Sequence, residues 1–402
     1  VVKMANMTRK KYALLKEQIR KCIQCGSCRV NCPTANETGW LSASPRSKVL
    51  HARDIIYARP WSRPKIAEEF SKRIFECTMC GRCGEECITD IDLPDIWIDL
   101  REMAMDSGTK IETVELVGKT IYEKKNVADQ PNAERNVWLK RAKLGFDPSE
   151  VKQADVVLFV GCMGAFYPQS QPMVRALAQV MEAAGIKFAI MGEKEYCCGF
   201  PLLSAGKVDD AISLMRHNFD VVKKIGAKTM VSACPACMKT WRDEYSHYLG
   251  EELPFEVVHA TELVRDLIKD GKIKLDPPKK EQTVTYHDGC DLGRNAGVYD
   301  APRELIQLIP GLTFIEHPES REKSVCCGAG GDMLMTNPEM AESIGQKRAR
   351  SLAEYASVVM TACPACKKQL KDTAKRAGVD LKSQDIIELV AKQLPKTRKE
   401  EN

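Results

Sequence analysis

Short apolar runs alternate with helical patterns over the C-terminal two-thirds of the chain. Asp155 to Val160 (D-V-V-L-F-V) predicts a buried strand ending at Gly161-Cys162. Met173, Leu177, Val180 and Met181 share one face of the helix expected next. Lys187 to Met191 predicts a second strand leading to Cys197-Cys198-Gly199. A helix is expected over 206 to 224, and Thr229 to Ser232 predicts a strand that delivers Cys234-Pro235-Ala236-Cys237. The same order then returns. Val284 to Tyr286 precedes Cys290, Ser324-Val325 precedes Cys326-Cys327-Gly328, and Val358 to Met360 precedes Cys363-Pro364-Ala365-Cys366. Corresponding cysteines lie 128 or 129 residues apart, so an α/β unit is repeated with almost no net insertion.

Upstream of the repeats the pattern is helical. Ser44-Pro45 predicts a helix running through Ile56, with Ser as the cap and Pro in the first position. Pro64 predicts another, with Ile66, Phe70 and Ile74 at helical spacing. Pro94 opens an amphipathic helix carrying Ile96, Trp97, Leu100 and Met103, and residues 105 to 150 read as a polar helical linker without cysteine.

Composition narrows the class. The chain has 402 residues, 44% apolar and 29% charged, an ordinary globular balance that supports two to four domains. No run reaches the roughly 18–20 apolar residues that cross a bilayer. The start is basic, lacks the apolar segment of a signal peptide, and opens on Val, read as a trimmed start or an unusual codon. Residues 1 to 75 hold sixteen Lys and Arg against five Asp and Glu, so this segment is more basic than the whole chain at +5. Arg9, Lys10, Lys11, Lys16, Arg20 and Lys21 begin it. A solvated helix face is the plain reading; a docking face for an acidic partner or anionic lipid headgroups is the functional one. The basic residues are not interleaved with aromatics and no binding motif accompanies them, which argues against nucleic acid.

The eighteen cysteines fall into sets of 4, 4, 5 and 5 with none left over. In a chain expected to stay in a reducing compartment, that accounting points to metal rather than disulfides. Cys22, Cys25, Cys28, Cys32 and Cys77, Cys80, Cys83, Cys87 both read C-x2-C-x2-C-x3-C, the bacterial ferredoxin spacing for a cubane [4Fe–4S] cluster. In two-cluster ferredoxins the fourth cysteine of each run ligates the other cluster. The expected ligand sets are therefore Cys22, Cys25, Cys28 with Cys87, and Cys77, Cys80, Cys83 with Cys32. Zinc is the alternative that a lone C-x2-C would favour. Ile88 follows Cys87 where the pattern has Pro, and 44 residues separate the runs, which favours a mostly helical domain over a compact ferredoxin.

The remaining sets are Cys162, Cys197, Cys198, Cys234, Cys237 and Cys290, Cys326, Cys327, Cys363, Cys366. Five thiolates are one more than a tetrahedral ion uses. Side chains of adjacent residues diverge, so the paired cysteines suit different irons of one cluster. A fifth thiolate could open that cluster and expose an iron to a substrate sulfur. An ordinary cubane with a spare cysteine is the alternative. Strand ends that meet helix starts suit such sites, because helix N-termini lower thiol pKa values and stabilise anionic clusters. The glycines of Cys327-Gly328-Ala329-Gly330-Gly331 permit close backbone approach. They do not form the G-x-G-x-x-G of a dinucleotide fold.

These motifs resemble the cysteine-rich CCG domain pair of the heterodisulfide reductase family, joined to a two-cluster ferredoxin module as in its fused, D-type members. The resemblance covers about residues 10 to 390. It implies an α/β chain with an α-helical ferredoxin-like N-terminal domain and two repeated CCG domains. The expected divisions are 1–105 (ferredoxin-like), 106–150 (linker), 151–275 and 276–394 (CCG domains), and 395–402 (charged tail). It further implies two cubane and two non-cubane [4Fe–4S] clusters, with the mixed disulfide of coenzyme M and coenzyme B reduced between the latter. Electrons would come from a redox partner subunit: a b-type membrane cytochrome, a flavin subunit or a ferredoxin-like donor. The implied location is cytoplasmic, or the inner face of the membrane through that partner. The alternatives are an electron-transfer subunit of a glycerol 3-phosphate, glycolate or lactate-type dehydrogenase, and a trisulfide reductase subunit of sulfate reducers. Many relatives carry His after the first cysteine of the second repeat, where this chain has Asp291. Asp291 is read either as a proton carrier at the substrate or as a helix cap. His287 is read as a second catalytic candidate or as a satisfied strand-end histidine.

Four [4Fe–4S] clusters give an expected content of about sixteen irons and as many sulfides per chain. Iron and acid-labile sulfide assays on anaerobic protein check this, and about half that iron would remove the two extra clusters.

Overall fold

A computed structural model describes residues 9–57, 68–106, 108–278 and 280–395. The N-terminal part is helical. Helix Arg9–Arg20 packs Leu15 and Ile19 against helix Pro45–Tyr57, which buries Val49, Ala52, Ile55 and Ile56. Ser44 caps the second helix as its sequence predicts, its Oγ accepting from Ser47 N at 3.3 Å. Helix Glu68–Phe75 carries Phe70 and Ile74 into the same core, while Pro64 and Ile66 lie outside the described residues. Helix Leu93–Asp106 buries Ile96, Trp97, Leu100 and Met103 on its expected face.

Each repeat folds as a four-stranded parallel sheet. The first comprises β1 (Val156–Phe159), β2 (Phe188–Ile190), β3 (Thr229–Ser232) and β4 (Glu256–His259), in the order β2-β1-β3-β4. The second comprises β5 (Gln282–Tyr286), β6 (Leu312–Phe314), β7 (Val358–Thr361) and β8 (Lys382–Asp385), in the order β6-β5-β7-β8. The chain leaves β1 for β2 and then crosses to β3 on the other side, so the switch point lies between β1 and β3. Cys162 follows β1 and Cys234 follows β3, which puts both at the crevice where open α/β sheets bind ligands. Cys290 and Cys363 follow β5 and β7 in the same way.

Three elements differ from their sequence patterns. The strand expected at Ser324-Val325 lies upstream at β6. Ser324 and Val325 form a loop, pinned by Ser324 Oγ donating to Asp288 O at 3.0 Å and by Arg294 donating to Ser324 O. The edge strands β4 and β8 go unannounced; the second reads Lys-Ser-Gln-Asp, with no apolar residue to signal it. The 105–150 stretch is helical over Glu112–Lys124 and forms a 3₁₀ helix over Asn132–Arg141. It packs onto the first repeat instead of spanning open space. Trp138 is fully buried, and Cys197 N donates to Lys125 O at 2.7 Å.

The helical module is tied to the first repeat by Arg101, which is fully buried. Its guanidinium donates to Ile74 O at 3.1 Å, Phe75 O at 3.3 Å and Cys77 O at 3.0 Å within the module, and to Ser204 O at 2.6 Å in the first repeat. The charge of Cys77, and then that of Asp332 in the second repeat, acts on it. Arg101→Met removes the donors and leaves these carbonyls buried. The expected loss is about 3 kcal/mol or more, seen as a lower midpoint for thermal unfolding.

Candidate iron–sulfur sites

The two ferredoxin-type runs coil alike. Gln24 and Gly26 in the first, and Met79 and Gly81 in the second, take left-handed backbone conformations at matching positions. That curl turns three thiols and their backbone N–H groups to one side. The fourth cysteine is carried off: Cys32 starts the helix Pro33–Thr38, and Cys87 follows the short helix Arg82–Glu85. The result pairs the runs crosswise. Cys22, Cys25, Cys28 and Cys87 line one cavity, with Val49, Ile91 and Leu93 behind them. Cys32, Cys77, Cys80 and Cys83 line another, with Lys48 and Trp97. Burial pushes the Cys28 thiol up to about 11, with Cys22, Cys25 and Cys87 adding to it. Burial likewise raises Cys83, helped by Cys77, Cys80 and Cys32. Cys25 is exposed, so the first cavity reaches the surface.

Each five-thiol set closes into a chain of neighbours. In the first repeat Cys162 meets Cys197, then Cys198, Cys237 and Cys234. In the second, Cys290 meets Cys326, then Cys327, Cys366 and Cys363, with Cys327 and Cys366 sulfurs 3.2 Å apart. Cys198 and Cys327, the second members of the adjacent pairs, are held below the ordinary thiol range by the cysteines that hydrogen bond to them on either side. A donor set of five soft, mostly buried sulfurs fits an iron–sulfur cluster better than a single tetrahedral ion.

The sets are not isolated. Cys80 of the helical module is within hydrogen-bonding reach of Cys326, so a four-thiol site touches the second five-thiol site. Arg294 of the second repeat donates to Cys80 O at 2.6 Å, and Asn295 to Met79 O at 3.2 Å, which holds this approach. Asn295 also donates to Asp291 Oδ1 at 3.0 Å. Asp291 starts no helix, since the next begins at Asp300; burial raises its carboxyl, and its charge is felt by Cys234 of the other repeat. His287 is buried, with Arg348 Nε donating to its Nδ1 at 3.4 Å and no partner on Nε2. Burial first, then Arg348, pushes its pKa down to about 3.

Other residues at the sites carry no motif. Arg135 lies 3.7 Å from Cys162 Sγ and pairs with fully buried Glu195 at 2.8 Å. Glu195 in turn accepts from Val160 N at 2.9 Å and Gly161 N at 2.8 Å, fixing the turn that presents Cys162. No local spacing in the sequence marks this pair, because the partners lie sixty residues apart.

Comparison with known proteins places this geometry in a class. The 4Fe–4S dicluster domain matches residues 18–91, and the cysteine-rich CCG domain matches 156–241 and 284–371. The chain is an iron–sulfur oxidoreductase built from a ferredoxin-type dicluster domain and two cysteine-rich domains. It belongs to the family of D-type heterodisulfide reductase subunits. It is 35% identical to the D-type chain of the dihydromethanophenazine:CoB–CoM heterodisulfide reductase of Methanosarcina barkeri, over 94% of this chain and 94% of that one. The Methanosarcina mazei protein of the same name is also 35% identical, with the same shares covered. Among solved structures, a hypothetical protein from Helicobacter pylori has a similar fold, with a TM-score of 0.54 at 12% identity over 98% of this chain and 74% of that chain. Among the described residues no helix is long and apolar enough to cross a membrane.

Crosswise ligation has a direct test. Cys32→Ser is expected to damage the cluster shared with Cys77, Cys80 and Cys83, and Cys87→Ser the one shared with Cys22, Cys25 and Cys28. EPR of the reduced variants reads which signal is lost; each run losing only its own would refute the pairing.

Proposed function

We propose that this chain is the disulfide-reducing component of a larger complex. It would act on the coenzyme M–coenzyme B heterodisulfide or a related disulfide, at two non-cubane clusters fed by two cubane clusters. The observation that carries the reading is the pair of complete five-thiol sets at two sheet switch points, with Asp291 of one repeat facing Cys234 of the other. A chain that only relayed electrons would need no such second pair of sites. The cubanes belong to Cys22, Cys25, Cys28, Cys87 and to Cys77, Cys80, Cys83, Cys32; the non-cubane clusters belong to the two five-thiol sets.

When bound, the clusters relay single electrons and, at the five-thiol sites, offer iron to a substrate sulfur. The chain's own residues order the traffic. Exposed Ile23 lines the cavity of exposed Cys25, and Val30, Ile88, Arg20, Lys21 and Arg29 in and beside the two cysteine runs are also at the surface. An apolar face with a basic rim suits an acidic-rimmed redox partner: a membrane cytochrome, a flavin subunit or a ferredoxin-like donor. Membrane association then comes only through that partner. Contact of Cys80 with Cys326 makes the second repeat the inner receiving end. A disulfide needs two electrons and two protons to become two thiols. A cavity of about 570 Å³ between module and repeats, lined by Asp92, Asp95, Lys239, Arg294 and Asn295, reaches Asn295, whose amide donates to Asp291. Crowding at the cavity wall, then the charges of Asp92 and Glu244, raise the carboxyl of Asp95 there.

Cys198→Ala and Cys327→Ala are each expected to abolish anaerobic oxidation of reduced viologen by the coenzyme M–coenzyme B disulfide. Symmetrical disulfides serve as controls. Fully iron-loaded wild-type protein that fails on every disulfide would overturn the reading. Activity on a different disulfide alone would keep the mechanism and change the substrate.

A further inference from the structure

The two five-thiol sites share their cysteines and differ in what stands behind them. Aligned on the nearest cysteines of each repeat, Phe159 at the end of β1 occupies the place of His287 after β5. Phe219 occupies the place of Arg348. The first repeat therefore presents two buried aromatic rings, Phe159 packing edge-on against Trp241. The second presents a buried imidazole and a buried guanidinium.

Arg348 Nε donates to His287 Nδ1 at 3.4 Å, which assigns the ring proton to Nε2. That N–H is buried and has no hydrogen-bond partner in the protein. Buried donors are rarely left so without a ligand to receive them. The ring approaches Cys327 and Cys366, with one nitrogen and both sulfurs all within 4.8 Å of one another. We infer that His287 Nε2–H donates a hydrogen bond to sulfur at the second five-thiol site, from Cys327, Cys366 or the cluster they hold, and raises the potential of that site.

Hydrogen bonds to cluster sulfurs favour the reduced form, because they stabilise the added negative charge. The flanking charge acts in the same sense. Arg348 faces a half-exposed Glu319 at 3.4 Å, so its charge is only loosely neutralised; the first site has a donor of its own in Arg135, 3.7 Å from Cys162 Sγ and paired with buried Glu195 at 2.8 Å. The second site is also the one that Cys80 touches. An electron arriving from the helical module thus meets first the site that His287 backs. This inference rests on the second set holding a cluster, and not on which disulfide is reduced.

The test uses the full chain with ¹⁵N-labelled histidine and its clusters in place. Pulsed EPR is expected to show a weak ¹⁵N coupling of hydrogen-bond size, absent in His287→Phe. In a redox titration, His287→Phe is expected to shift the second-site couple to more negative potential, and His287→Gln, which keeps an N–H at similar reach, to restore part of the shift. No histidine coupling in the wild type, a coupling strong enough for nitrogen bonded to iron, or an unchanged potential in iron-loaded His287→Phe would each overturn it. Should the Phe variant fail to take up iron, the labelled wild-type spectrum decides. Loss of all disulfide activity with the coupling intact would strike the proposed reaction and leave the hydrogen bond standing.

Discussion

The backbone of Cys77 and Thr78 lies so close to Gly330 and Gly331 that neither glycine has room for a side chain. A Cβ on Gly331 would stand 2.2 Å from Cys77 O, and one on Gly330 2.5 Å from Thr78 O. Gly331 also sits at φ +60°, where other residues are strained. This contact sets the distance between the helical module and the second repeat. Arg294 and Asn295 hold it by bonding to the carbonyls of Cys80 and Met79, while Arg101 fixes Cys77 O within the module. Without that approach Cys80 would not reach Cys326, and the two kinds of site would be separate sites on one chain.

Duplication supplies the rest of the architecture. A parallel sheet with its switch point between β1 and β3 offers one crevice, and the repeat offers a second between β5 and β7. The cysteines were kept in register through the duplication while their backing diverged. The helix after Cys237 contains a π turn at Thr240–Glu244, beside Tyr245 and the stacked Trp241. Its counterpart, Pro364–Ala377, is a regular α-helix. The first site is thus backed by aromatic packing and a closed Arg135–Glu195 pair, the second by His287 and a loosely paired Arg348. Sites with the same ligands in different electrostatic surroundings are suited to receive electrons in order.

Much of this protein is written locally. The crossed ferredoxin runs, the five-cysteine sets and their spacing of 128 or 129 residues can be read directly, because thiol ligands must come from cysteine and loops short enough to wrap a cluster leave a fixed spacing. Strands such as D-V-V-L-F-V announce themselves, since a strand covered on both faces is apolar throughout.

What the tertiary structure alone decided lies in contacts between distant segments. The stretch 105–150 reads as linker because its polar helical pattern carries no ligand, yet it delivers Arg135 to Cys162 and the Lys125 carbonyl to Cys197. Ser324-Val325 looks like a strand by composition, but the Arg294 side chain and the Asp288 carbonyl hold it as a loop. His287 reads as an ordinary strand-end histidine until Arg348, sixty-one residues away, occupies one ring nitrogen and leaves the other buried without a partner in the protein. Hydrogen-bond partners, unlike ligand types, have no period in sequence. Their pairing is set only when packing brings the segments together, and it is there that two identical cysteine sets become two different sites.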